Sequence, residues 1–487
     1  MTAKTELILL LVLLGIFGGC NPNKKTKEQH TPSKPNVLFI AVDDLNDWIG
    51  ALGGHPQAKT PNIDKLARRG VLFTNAQCQA PVCNPSRVSI MTSLYPSTTG
   101  IYFLNPDISE SPMADKTVVM PKRFQQEGYH VSGAGKLFHN AEGINERHIP
   151  NYAGQFGGFG PMPKEKISTF PGHPLWDWGV YPETDEQMPD YQIAGWAEEQ
   201  LTGDHEKPFW MGVGFYRPHV PQFVPQKWFD LYPLESLELP ETIPKDLSDI
   251  PPYGIDITRL EHVAPTHEWV MDNNQWKPLV QSYLACVSFV DEQVGRVLSA
   301  LDRGAYGNNT YVVLFSDHGF HFGEKERYAK RSLWEDGTRV PLVIMGPGIP
   351  EGKVCKKPVQ LLDIYPTLLE LCNLEPDSSH EGNSLIPLLQ NTEIDWPYYA
   401  RTSFGPGNYA IVSENYRYIQ YNDGSEEFYD HTKDAEEWHN EINNKVYTEI
   451  IEKHRAEIPK VRQEILGKES TGHLSYDASE KNKKTRK

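Results

Sequence analysis

From Asn36 onward, apolar runs of strand length alternate with stretches of helical period. Asn36-Val-Leu-Phe-Ile-Ala-Val42 is apolar on both faces, the mark of a strand buried within a sheet rather than at its rim. Residues 71–73, 208–213, 311–315 and 341–345 repeat that pattern. Residues 63–69 read as a helix ended by Gly70. The clearest helix spans residues 281–301, where Tyr283, Val287, Val290, Val294, Val297 and Leu301 fall on a single face. Strands interleaved with helices predict an α/β fold, with a large, mainly parallel sheet flanked by helices.

Two stretches break the rhythm. Residues 141–189 and 222–254 are rich in Gly, Pro and aromatics, and loops this long usually build a lid or a binding wall. After residue 389, Ala410-Ile-Val-Ser and residues 416–421 read as antiparallel strands around a turn, and residues 446–466 as an amphipathic helix. The expected organisation is a catalytic domain over 35–389, a smaller C-terminal subdomain over 390–470, and a charged tail over 471–487. Six cysteines are too few for a disulfide scaffold in 487 residues. Cys78 and Cys286 read as buried thiols, and a disulfide between Cys355 and Cys372 is left open.

The N-terminus reads as an address. Lys4 precedes an apolar run over residues 7–17, too short for a membrane span, which needs roughly 20 apolar residues. The run ends in Phe17-Gly18-Gly19-Cys20 and resembles a bacterial lipoprotein signal: residues 1–19 removed, lipid on Cys20, residues 20–34 a tether. The expected location is a bacterial envelope, membrane-anchored; the alternative is an ordinary secretory signal and a soluble periplasmic protein. A formal charge of -17 argues against a nucleic-acid partner, although a local basic pocket can still receive an anion.

The chemistry-bearing residues sit where strands end. Asp43-Asp44 follow the first strand and Asp317-His318-Gly319 follow another, and open α/β sheets bind ligands at the carboxyl ends of their strands. Either pair alone is more often a turn or a helix cap. Three carboxylates delivered to one edge, however, repel one another unless a cation sits between them. Between these stations lies Cys83-Asn84-Pro85-Ser86-Arg87. Pro85 suits a first helical turn, but a helix start does not explain Arg87.

Cys-x-Pro-Ser-Arg, with Asp43-Asp44 upstream and Asp317-His318 downstream, resembles the signature of the type I, formylglycine-dependent sulfatases. The resemblance covers residues 36–440 and is nearest to the iduronate-2-sulfatase branch. It is carried there by Gly135-Lys136-Leu137-Phe138-His139, Arg217-Pro218-His219-Val220-Pro221, Tyr328-Ala329-Lys330 and Glu427-Phe428-Tyr429-Asp430. Thr92-Ser93-Leu94 stands where many members have Thr-Gly-Arg.

The resemblance implies an alkaline-phosphatase-like sulfatase fold and hydrolysis of sulfate esters on sulfated oligosaccharides or polysaccharides, algal such as ulvan or glycosaminoglycan, with a 2-O-sulfate suggested. It implies one Ca2+ held by Asp43, Asp44, Cys83 and Asp317, with His318 as a further candidate ligand. It also implies that a formylglycine-generating enzyme oxidises Cys83, and that the hydrated aldehyde is the nucleophile. Arg87 would orient that hydrate, Lys136, Lys330 and His219 would hold sulfate, His219 would protonate the leaving oxygen, and His139 would be the base. Trp176 and Trp178 are expected as substrate walls, while His55, His173 and His321 carry no assigned role. The rivals are a phosphatase or phosphodiesterase of the same superfold, and a non-catalytic glycan-binding lipoprotein. Cys83 argues against the first. None of Asp43, Cys83, Arg87 or Asp317 is missing, as the second would predict.

Overall fold

Nine strands assemble into one sheet in a computed structural model that describes residues 34–139, 143–259, 263–467, 476–478 and 480–481. They are β1 (Asn36–Val42), β2 (Val71–Gln77), β3 (His130–Gly135), β4 (Asn151–Tyr152), β5 (Phe209–Phe215), β6 (Thr310–Ser316), β7 (Arg339–Met345), β8 (Lys353–Cys355) and β9 (Val359–Gln360). Across the sheet they run β8-β2-β7-β6-β1-β5-β3-β4, with β9 also pairing to β2. All ladders are parallel except those of β7, which runs antiparallel to both β2 and β6. The signal, Cys20 and most of the tether and tail lie outside the described residues. Among the described residues, no helix is long and apolar enough to cross a membrane.

The two-faced apolarity of β1 has a direct structural cause. Leu38, Ile40 and Val42 enter one core, Val37, Phe39 and Ala41 the other, and all six are buried. Helices α1 (Pro61–Arg68), α2 (Cys83–Thr92), α3 (Pro189–Thr202) and α4 (Trp276–Arg303) supply much of the cover. The apolar face of α4 packs into the first core, with Tyr283, Val287, Val290, Val294, Val297 and Leu301 all fully buried.

A four-stranded antiparallel sheet follows: β10 (Ala400–Ser403), β11 (Tyr409–Val412), β12 (Tyr416–Gln420) and β13 (Glu426–Asp430). It belongs to the same compact unit as the main sheet, which begins at Pro35. Arg417 Nη1 donates to the Leu333 carbonyl (2.8 Å), and Trp334 Nε1 donates to Glu427 (2.8 Å). The expected helix over 446–466 is shorter: α5 spans Thr448–Ala456. Pro459 disfavours helical geometry at the residue before it. Beyond it, Gln463 and Leu466 instead donate their backbone N–H groups to Ser97 and Gly100. Cys355 and Cys372 are both buried and form no disulfide. Cys78 and Cys286 are buried thiols, as expected.

The two Gly- and Pro-rich stretches meet. A short parallel ladder joins Trp178–Val180 to Gln222–Val224. It also corrects one expectation. Trp178 is 2% exposed, donates its indole N–H to Gln275 Oε1 (2.9 Å) and packs edge-on to Trp269, so it is a core side chain and not a substrate wall. Trp178→Ala should therefore cost about 3–5 kcal/mol of stability in denaturant titration. Any loss of activity should then be equal on large and small substrates.

Candidate active site

Parallel pairing explains why distant residues converge. Val42 at the end of β1 lies opposite Ser316 at the end of β6, so Asp43-Asp44 and Asp317-His318 leave the sheet side by side. Gly135 ends β3 opposite Gly214 of β5 and adopts a left-handed φ of 74°. A Cβ there would lie 1.9 Å from the Gly214 carbonyl oxygen, so only glycine lets Lys136 turn into the same edge.

The carboxylate loop is held from both sides. Asp44 has a left-handed φ of 61°, an uncommon conformation that aspartate tolerates better than most residues. Its N–H donates to Asp317 Oδ1 (3.2 Å), and its carbonyl accepts from the Tyr283 hydroxyl of α4 (2.8 Å). Periodicity places Tyr283 on the apolar face of α4; what period cannot show is that its hydroxyl reaches Asp44 and Asn46.

Cys83 opens α2, and every residue of that helix is buried. An N-terminal first turn favours negative charge on the side chain it presents. Cys83 Sγ lies 3.2 Å from Lys330 Nζ, 3.2 Å from His318 Nε2 and 3.6 Å from Lys136 Nζ. Burial alone would raise the thiol; Lys136, Lys330 and His318 outweigh it and hold it well below its ordinary value. At the far end of α2, Ser93 forms the helix cap in a left-handed conformation, with a φ of 55°. Its hydroxyl donates to the Leu362 carbonyl (2.9 Å), which offsets part of the conformational cost of roughly 1–2 kcal/mol.

Arg87, 1% exposed, ties the acidic stations together. Its Nε donates to Asp317 Oδ2 (2.8 Å), its Nη2 to Asp43 Oδ1 (3.1 Å), and its Nη1 to the Lys136 and Leu137 carbonyls. Lys136 Nζ pairs with Asp43 Oδ2, and Lys330 Nζ with Asp44 Oδ1 (2.6 Å). Burial would raise Asp43, yet Lys136, His219 and Arg87 hold it well below the ordinary carboxylate range. Asp317 goes the other way: burial outweighs Arg87 and His318 and pushes it up to about 6. Burial resists a charged His318, but Asp317 outweighs it and raises the imidazole to about 9.

His139 lies against Cys83, and burial holds its imidazole below the ordinary value. Its Nδ1 is buried without a hydrogen-bond partner. His219 Nε2 lies 3.9 Å from Asp44 Oδ2, and its ring packs against Phe159. Every polar residue expected in the sulfate pocket is thus in one place.

That place opens into a cavity of 250 Å³. Asp44, Cys83, His139, His219 and Lys330 line it, and so does Trp176, the one of the two tryptophans that reaches it. His173 lines it as well. Arg331 does too, and sequence reasoning missed it: it is buried, its Nη1 has no hydrogen-bond partner, and only its position after Lys330 hinted at a role. Asp44 Oδ2 is likewise buried without a hydrogen-bond partner. Oxygens of Asp43, Asp44 and Asp317, one of them orphaned, fit a hard divalent cation. Asp43, Cys83, Asp317 and His318 bring one potential ligand atom each within 4.8 Å of one another.

A sequence model of the family described as Sulfatase matches residues 35–374. The chain belongs to the sulfatase family. A second model, N-sulphoglucosamine sulphohydrolase, C-terminal, matches residues 323–464 of this sulfatase. Over 472 residues it is 45% identical to a protein named sulfatase from Formosa agariphila, covering 94% of this chain and 92% of the relative. Over 397 residues it is 32% identical to iduronate 2-sulfatase of Homo sapiens, covering 72% and 71%. The solved structure of a phosphonate monoester hydrolase of Agrobacterium radiobacter matches with a TM-score of 0.69 at 21% identity, covering 87% and 94%. This sulfatase therefore has the alkaline-phosphatase-like fold and is a sulfuric ester hydrolase.

Proposed function

We propose that this sulfatase is an exported enzyme that cleaves sulfate esters, 2-O-sulfates among them, from uronate-containing saccharides, with Cys83 converted to formylglycine as its nucleophile. The observation that carries the reading is Cys83 itself, at the first turn of α2 among Lys136, Lys330 and His318, beside three buried carboxylates. A sulfate ester needs its charge neutralised and its leaving oxygen protonated, and this pocket supplies both.

The steps follow from what each group can reach. Lys136 and Lys330 neutralise the sulfate oxygens, and one hydroxyl of the hydrated aldehyde at position 83 gives its proton to the neighbouring Asp317 carboxylate as it attacks sulfur. The bond to the sugar oxygen breaks, and His219 gives that oxygen a proton. His139, kept neutral by burial, then takes the proton of the second hydroxyl; sulfate departs and the aldehyde returns. Asp43, Asp44 and Asp317, with His318 Nε2 beside them, would hold one Ca2+. When bound, that ion supplies positive charge beside the nucleophile and the sulfate.

The substrate class rests on Arg331 and on the relative named iduronate 2-sulfatase. A buried guanidinium with an unpartnered nitrogen on the cavity wall is matched by a carboxylate next to the sulfated carbon. Arg331→Leu should lower kcat/KM on a 2-O-sulfated uronate disaccharide on the order of 10- to 100-fold, the worth of one charge-assisted hydrogen bond. An aryl sulfate, which has no carboxylate, should be cleaved as before. Equal losses on the two substrates would sink the uronate assignment. Export through the leader and a lipid on Cys20 is checked by fractionation. Cys20→Ala should move the protein out of the membrane pellet, and an unchanged distribution would rule the anchor out.

A further inference from the structure

We infer that this sulfatase binds a second metal ion, a divalent first-row transition ion, between His321, Glu324 and Asp336, outside the sulfate pocket. The site borders a separate cavity of 510 Å³, larger than the one that holds the chemistry. Its walls include Asp47, Glu324, Glu335, Asp336, Glu414 and Glu436.

Most of the neighbouring carboxylates are already neutralised. Asp47 pairs with Arg339, Glu335 with Arg417 and Arg339, and Glu414 with Lys357. Among the described residues, Glu324 and Asp336 have no Lys or Arg ion pair; the Glu324 carboxylate accepts backbone N–H groups, that of Phe322 among them. The independent observation is His321. It is fully buried, its Nε2 bonds Ser332 Oγ (2.6 Å), and its Nδ1 has no hydrogen-bond partner. That Nδ1 faces Asp336 Oδ2 at 3.6 Å, too far for a hydrogen bond. One ligand atom each from His321, Glu324 and Asp336 lies within 4.8 Å of the other two.

In the tautomer that carries its proton on Nε2, beside Ser332 Oγ, the imidazole presents the Nδ1 lone pair to two carboxylates. Three electron-rich groups in that arrangement need a proton or a cation among them. One imidazole nitrogen and two carboxylates suit zinc or manganese; calcium prefers an all-oxygen set. His321 and Glu324 follow β6, and Asp336 precedes β7. An ion there would tie together both ends of the segment that carries Asp317, His318 and Lys330.

The test uses full-length protein, stripped with chelator, saturated with Ca2+ and then exposed to Zn2+. Zinc retained after gel filtration is measured with the melting temperature. The expected result is one zinc per chain and a raised melting temperature for the wild type, for Asp317→Asn and for Cys83→Ala. Asp336→Asn and Glu324→Gln, both isosteric, should keep the native circular dichroism spectrum and lose the zinc and the shift. Failure of the wild type to retain zinc overturns the inference. So does retention by natively folded Asp336→Asn and Glu324→Gln. Loss of zinc in natively folded Asp317→Asn and Cys83→Ala also overturns it, because the ion would then belong to the sulfate pocket.

Discussion

Cys83→Ala should abolish sulfate ester hydrolysis, with kcat falling about 10⁶-fold, as removal of a nucleophile does in other covalent enzymes. Cys83→Ser should be as inactive in steady state for a different reason. A serine has one hydroxyl, so a transferred sulfate has no second hydroxyl to expel it, and the enzyme should accumulate sulfated at residue 83. Mass spectrometry of the tryptic peptide reads both results, and in active wild-type protein it should find the aldehyde in place of the thiol. An intact thiol in fully active enzyme would remove the proposed nucleophile. The fold should survive either change, because each is near-isosteric or smaller and Arg87, not Cys83, bridges the acidic stations.

Arg87→Met should be the most destabilising single change in the site, by about 3–5 kcal/mol, because it leaves buried charges without their partner. Asp43 and Asp317 each lose a donor, as do the Lys136 and Leu137 carbonyls. The pH dependence has a definite sign. Asp317 already sits near 6, above its ordinary 3.8, and removing Arg87 raises it further. A carboxyl raised in the folded state contributes stability below its unfolded pKa and loses it as pH rises through the folded one. The gap between Arg87→Met and wild type, measured by urea titration in chelator, should therefore be widest at neutral pH and shrink toward about pH 5. Added Ca2+ should also narrow it, since a cation would neutralise the same carboxylates. A gap of one size at both pH values would mean that lost packing, not unpaired charge, sets the cost.

Much of this protein could be read along the chain because the relevant physics is local. A strand apolar on both faces must be covered on both faces, and β1 feeds two cores. The face of α4 followed from its three-and-four spacing. Asp43-Asp44 and Asp317 stood out because they follow apolar strands, whereas Cys83, Arg87, Lys136 and Lys330 stood out through the resemblance of their motifs to those of the sulfatases. The C-terminal helix misled because amphipathic period persists to residue 466, while Pro459 and the Ser97–Gly100 loop claim the backbone after Ala456.

What the chain order could not supply was pairing between distant segments. The reversal of β7 and the side-by-side exit of β1 and β6 depend on which strands neighbour each other in the sheet. Trp176 and Trp178 are two residues apart and look alike in sequence, yet one lines the cavity beside Cys83 and the other fills the core. Arg331 and His321 read as ordinary side chains until tertiary packing buried them with a nitrogen left unpartnered. Composition and spacing record what a side chain is. Burial, and the partner that burial provides or withholds, sets its charge and its use, and those are properties of the folded neighbourhood alone.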